Sequence, residues 1–180
     1  MTGPVVRAAT RADLATVAEI WVKSWQAAYA GIVPAHHLDA LDPQVRYPKL
    51  VERFVDPHDP HEIFVVEGPR SVVGFVVVGP WRGDDAAREL GEIGAIYLLP
   101  EHWGSGLGRL LLDRAEQRLG ELGYAEVRLW VLQDNTRAQR FYRSAGWSAD
   151  GGRQHYQVGE SSLPELRYAR RLSRRGRSDG

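Results

Sequence analysis

The chain has 180 residues, enough to bury one sizeable core, and its 43% hydrophobic and 26% charged content is that of an ordinary soluble domain. Its 23 basic and 23 acidic residues cancel to a formal net charge of +0, so no global field favours nucleic acid. The absence of cysteine excludes disulfides, thiolate metal sites and a cysteine nucleophile, and fits a reducing cytoplasm, the expected location.

The first residues, MTGPVVRAATRADL, lack the charged-then-apolar pattern of a signal peptide. No apolar run approaches the ~20 residues that span a membrane, so no membrane partner is expected. Val5 to Ala9 predicts a short strand. Thr10 then offers a helix cap, with Asp13 as an acidic capping-box partner. Leu14, Val17, Trp21, Trp25 and Ala28 recur at helical spacing until Gly31. Leu38 to Val55 predicts further helix, interrupted at Asp42-Pro43 and again at Pro48. Ile63 to Glu67 and Val72 to Val78 are β-branched runs joined by Gly68-Pro69-Arg70, the pattern of a hairpin.

Leu90 to Leu99 predicts the next strand, and Gly94 within it marks a bulge or a close backbone approach. Leu107, Leu111, Ala115, Leu119 and Leu122 mark one face of an amphipathic helix closed by Gly123. Val127 to Leu132 is a buried strand, Asn135 to Ala145 a short helix, and Glu165 to Leu172 a last strand. There is room for another strand between Trp147 and Val158. A hairpin followed by a strand-helix-strand crossover predicts a mixed sheet with helices on both faces. One domain over 1–172 is expected. The basic residues of 173–180 read as a solvated, disordered tail rather than a nucleic-acid arm.

Gly104, Gly106 and Gly108 alternate where a strand hands over to a helix. A flexible turn would explain them. So would an anion cradle, because the first amides of a helix are unpaired and lie at the positive end of its dipole. A dinucleotide fingerprint needs glycine at position 109, which is Arg109. A P-loop needs Gly-Lys-Ser/Thr, but Gly108 is followed by Arg109 and Leu110.

The neighbours are more specific. The stretch Glu92 to Pro100 (EIGAIYLLP) followed by Trp103 to Arg109 (WGSGLGR) resembles the acetyl-CoA motif of the GNAT superfamily of N-acetyltransferases. Leu129 to Leu132, Asn135 to Ala138 (NTRA) and Phe141 to Trp147 (FYRSAGW) resemble its second motif. The likeness is strong over Glu62 to Trp147 and extends in element order over nearly the whole chain. One departure is Trp103, where the family often has Gln or Arg.

The resemblance implies a mostly antiparallel central sheet with a splayed strand pair, and acetyl-CoA as co-substrate in the cleft between those strands. It implies that main-chain groups of Ile96, Tyr97 and Leu98 bind the pantetheine arm. Trp103, Gly104, Ser105, Gly106, Leu107, Gly108 and Arg109 would wrap the pyrophosphate. Asn135, a helix cap on its own spacing, would also contact the cofactor arm. An alkyl ammonium has a pKa near ~10.4, so a base must take a proton before it can attack. Glu92, counted six residues before Leu98 on the same strand face, matches the family's general base, acting directly or through water; Glu89 is the alternative. Tyr142 matches the family's general acid. A main-chain N–H near Ile96 to Leu98 could stabilise the developing oxyanion.

The family builds its acceptor pocket from the first two helices, their loop and the last strands. Trp25, Tyr29 and His37 are the expected acceptor contacts, with Trp21, His36, Leu38 and Tyr156 nearby. Aromatic faces there could hold a cationic acceptor, and Asp39, Asp42, Asp84 and Asp85 could attract a polyamine. The histidines show no metal-ligand spacing, so no metal is expected. The expected function is acetyl transfer to a primary amine of a small molecule. Alternatives are a protein or peptide amino group, or a non-catalytic acyl-CoA-binding sensor or scaffold. The resemblance is also compatible with a homodimer through the C-terminal strands.

Overall fold

The computed structural model describes residues 3–83, 85 and 87–173; the expectations for the basic tail beyond 173 and for Asp84 lie outside the described residues. Seven strands form one sheet in the order β1-β2-β3-β4-β5-β7-β6. They are β1 (Val6–Ala8), β2 (Glu62–Glu67), β3 (Val72–Pro80), β4 (Leu90–Leu98), β5 (Glu126–Leu132), β6 (Ser148–Val158) and β7 (Ser161–Arg171). Of the pairings, β4 with β5 is parallel and the other five are antiparallel. The helices are α1 (Leu14–Ala28), α2 (Ala35–Asp39), α3 (Pro43–Val55), α4 (Leu107–Glu121) and α5 (Thr136–Ser144). Among the described residues no helix is long and apolar enough to cross a membrane.

Alternation along the strands sends side chains to two cores. Phe64, Val66, Val76 and Val78 pack with Leu111, Leu112, Ala115 and Leu119 beneath α4. Val65 and Phe75 face the opposite way, onto Val17 and Ile20 of α1 and Leu50 of α3. The entry to α1 is fixed by Asp13, whose carboxylate accepts from the Thr10 amide at 2.7 Å and from Arg7 at 2.8 Å.

Two expectations needed revision. Helix α3 runs through Pro48 without interruption. That residue is exposed, so water can reach the carbonyl it leaves unpaired. The last strand starts at Ser161 rather than Glu165. Its registered pairing with β5 begins only at Leu132↔Glu165. Pro164, which has no N–H to donate, sits just before it with its carbonyl accepting from the Gln133 amide at 2.8 Å.

The sheet parts in the middle. β4 and β5 pair only over Leu90↔Glu126, Gly91↔Val127 and Glu92↔Arg128 and then separate. The cause lies in β4. Val77 pairs with Ala95 but Val78 pairs with Ile93, which leaves Gly94 as an extra residue, a bulge as its sequence suggested.

Candidate active site

The bulge corrects the face expected for Glu92. A period-two count puts Glu92 and Leu98 on one face, but the extra residue inverts the alternation between them. Leu98 packs into the core beneath α4, whereas Glu92 opens onto the α1 side with Trp25 and Tyr97. Glu92 is 6% exposed, and both its oxygens accept from Arg82, at 2.9 and 3.0 Å. Glu89, the alternative, is exposed and lines neither cavity described below.

A cavity of about 590 Å³ fills the splay between β4 and β5. Gly104, Gly106, Gly108 and Arg109 line one end, Asn135, Ala138 and Tyr142 one side, and Ile96 to Leu98 the other. Ser105 and Leu107 do not line it: the Ser105 hydroxyl donates to the His102 carbonyl, and Leu107 is buried under α4. Asn135 caps α5, its side chain accepting from the Ala138 amide at 3.1 Å.

The glycine turn has the chemistry of an anion cradle. Ser105, Arg109 and Leu110 donate their amides to carbonyls of the turn, whereas the amides of Gly104, Gly106 and Gly108 meet no protein acceptor among the described residues. Gly104 and Gly106 adopt φ of +76° and +87°, and a Cβ on either would meet nothing within 4 Å. Alternate amides therefore face open space at the start of α4, where its dipole is positive.

The cation beside this cradle is one the sequence analysis did not single out. Arg109 is held by Asp113 at 2.7 Å, one helical turn on, with 49% of its side chain exposed. Arg137 forms no ion pair among the described residues. Its guanidinium lies 3.1 Å from the centroid of Trp103, and both residues line the cleft. Burial lowers the pKa of Arg137, the mark of a charge without a partner.

The pantetheine expectation narrows on the β4 edge. The Leu98 carbonyl already accepts from Trp103 Nε1 at 2.8 Å and from Ser24 Oγ at 3.0 Å. Ile96, two residues back, presents its backbone to the same edge, which β5 has left. The Tyr97 side chain points away, to α1, where its hydroxyl accepts from Trp25 Nε1 at 3.0 Å and lies 3.3 Å from that of Tyr29. Burial raises Tyr97 well above the ordinary tyrosine value and pushes Tyr29 up to about 12. Tyr142 is 7% exposed, and burial raises it too. Its hydroxyl has no protein partner among the described residues and lies on the cleft.

A second cavity, of about 400 Å³, lies on the α1 side and shares Tyr29, Ile93, Gly94, Ala95, Tyr97 and Trp130 with the first. It brings together Glu92 of β4, Trp21 and Trp25 of α1, and Tyr156 of β6, from three different elements. It also contains Arg46, Glu165 and Gln154, for which the sequence carries no local signal. His37 is not among its lining; it packs against Gly159 at the turn between β6 and β7. Asp42 caps α3, and Asp85 is bound by Arg128, Arg167 and Trp81.

Comparison with known proteins agrees with this architecture. The family model described as "Acetyltransferase (GNAT) family" matches residues 16–147. An uncharacterised N-acetyltransferase of Bacillus subtilis is 32% identical over 131 residues, 72% of each chain. The PaiA N-acetyltransferase of Thermoplasma acidophilum, solved in complex with coenzyme A, shares the fold with a TM-score of 0.71, at 21% identity over 94% of this chain and 99% of that one. The ribosomal-protein-alanine N-acetyltransferase of Brucella melitensis superposes with a TM-score of 0.72, at 25% identity over 93% of this chain and 99% of its own. With the glycine cradle, the bulged strand and the splayed pair in place, this chain belongs to the GNAT family of acetyl-CoA-dependent N-acetyltransferases.

Proposed function

We propose that this protein transfers the acetyl group of acetyl-CoA to the primary amine of a small molecule. One observation carries the reading. The cavity that ends in the unpaired amides of Gly104, Gly106 and Gly108 meets, at Gly94, a second cavity that holds Glu92. A phosphate-bearing donor and an amine acceptor can therefore enter from opposite sides of one strand.

The residues present fit coenzyme A. The cradle amides and Arg137 would hold the pyrophosphate, and the freed edge of β4 at Ile96 would hold the pantetheine amides. When bound, acetyl-CoA supplies a thioester carbonyl as acyl donor. Glu92 takes a proton from the acceptor ammonium, directly or through water, and passes it to solvent. Tyr142, kept neutral by burial, gives its proton to the departing sulfur. The second proton lost by the nitrogen restores Tyr142, so C–N formation, C–S cleavage and protons balance. A cavity of about 400 Å³ walled by aromatic rings suits a small amine better than a protein surface.

The test is thiol release from acetyl-CoA against amino acids, polyamines, aminoglycosides and peptides. Turnover with a small amine supports the reading. Tight CoA binding without turnover on any amine would replace it with a sensor or scaffold.

A further inference from the structure

The acceptor cavity holds two charges of opposite sign that do not neutralise each other. Arg46, from α3, stacks its guanidinium 4.3 Å from the centroid of Trp21. Its Nε is buried without a hydrogen-bond partner, and it forms no ion pair among the described residues. Glu165, from β7, is 9% exposed. Its Oε2 accepts from Gln154 at 2.6 Å, and no cation pairs with it among the described residues. Burial lowers Arg46 and raises Glu165, as expected for charges that lack a counter-charge. Tyr156 lies within electrostatic range of both. The other charges of the cavity, Arg82 and Glu92, already neutralise each other.

We propose that the acceptor is a zwitterion, an amine that carries a carboxylate on the same small molecule as a free amino acid does, with Arg46 as its anion anchor. The proposal rests on the acyl-transfer reading above and names its substrate class. Arg46 presents a planar fork of donors that suits a carboxylate. Glu165 and the Tyr29 and Tyr97 hydroxyls offer oxygen to the ammonium, near the strand shared with the donor cavity. The faces of Trp21, Trp25 and Tyr156 leave room between the two ends for an apolar side chain. A polyamine fits poorly: it would meet the unpaired charge of Arg46, while Asp85 is committed to arginines and Asp42 to a helix cap.

The test compares leucine and phenylalanine with their amides and with the amines that lack the carboxyl carbon. It uses thiol-release kinetics, and calorimetric binding in the presence of CoA. The acids should have KM and Kd about 10- to 100-fold lower than their amides, the range of a hydrogen bond between charged groups. Arg46→Gln should erase that difference by weakening the acids alone, and Arg46→Lys should restore part of it. Equal handling of acids and amides, an equal loss of both in Arg46→Gln, or acids that do not bind would each overturn the proposal. Arg46-dependent binding of acids without turnover would uphold it while removing the acetyl-transfer reading. Turnover confined to amines that lack a carboxylate would do the reverse.

Discussion

Arg137 lies face-on to Trp103, its Cζ 3.1 Å from the ring centroid, so the aromatic residue in the first motif position supports a cation supplied by α5. Arg109, inside the motif, is held by Asp113. The positive charge beside the glycine cradle is thus carried by a residue some thirty positions from it in sequence. Arg137→Gln should raise KM for acetyl-CoA about tenfold with kcat little changed, because a charge-assisted contact to phosphate is lost. Arg109→Gln, which removes a half-exposed and already paired charge, should change it less than about threefold. A short acetyl thioester without the nucleotide should not distinguish Arg137→Gln from the parent. A larger effect from Arg109 than from Arg137 would reverse the assignment.

Gly104 and Gly106 have room for a methyl group but not the backbone angle for one. With φ of +76° and +87° and open space around each Cβ, an alanine there costs conformational energy rather than packing. Each of Gly104→Ala and Gly106→Ala should lower stability by about 1–2 kcal/mol, the cost of left-handed backbone for an L-residue. Each should also weaken CoA binding, since relief of the strain turns the unpaired amides away. Denaturant melts and CoA titrations on the same samples would separate the two losses; unchanged CoA affinity in both variants would remove the cradle.

The sheet and its helices were legible because their apolar periods are long and uninterrupted, as in Leu107 to Leu119 and Val72 to Val78. The cleft between β4 and β5 was legible because its parts are backbone features, and glycine spacing records backbone directly. The face of Glu92 was not. Gly94 hinted at a bulge, but only the pairing of Val77 with Ala95 and Val78 with Ile93 shows that a residue is skipped and the alternation inverted. Arg46 and Glu165 were invisible for another reason. Each is a lone charged residue in an unremarkable stretch, and the lack of a partner is a property of the assembled chain. His37, adjacent in sequence to plausible contacts, was carried away from the cavity by the short helix α2.

Glu165 should make the empty protein's stability depend on pH. Burial raises its folded pKa above the usual carboxylate range near ~4.3. Below the unfolded value both states keep the proton and the group contributes its full share. As pH rises toward the folded value, the unfolded chain releases its proton first, so stability is lost until the folded pKa is passed. Glu165→Gln should therefore raise Tm at pH 7 but change it little at pH 4. Melting curves at the two pH values would show it, and a Tm gain of equal size at both would mean that the effect is packing.

Glu92 and Tyr142 can be told apart by what rescues them. Glu92→Gln should lower kcat by about 10²- to 10⁴-fold, the range of general base catalysis, and the loss should shrink with acceptors of lower amine pKa, which reach the neutral form unaided. Tyr142→Phe removes a hydroxyl that bonds no protein group among the described residues, so Tm should hold while kcat falls by about 10²-fold or more. That loss should shrink with an aryl thioester donor, because a thiolate of low pKa departs without a proton. A donor-dependent rescue confined to Tyr142→Phe and an acceptor-dependent rescue confined to Glu92→Gln place the acid and the base on opposite sides of β4. If both variants respond alike to donor and acceptor, neither residue moves the proton assigned to it, and the carboxylate left in the acceptor cavity to do so is Glu165.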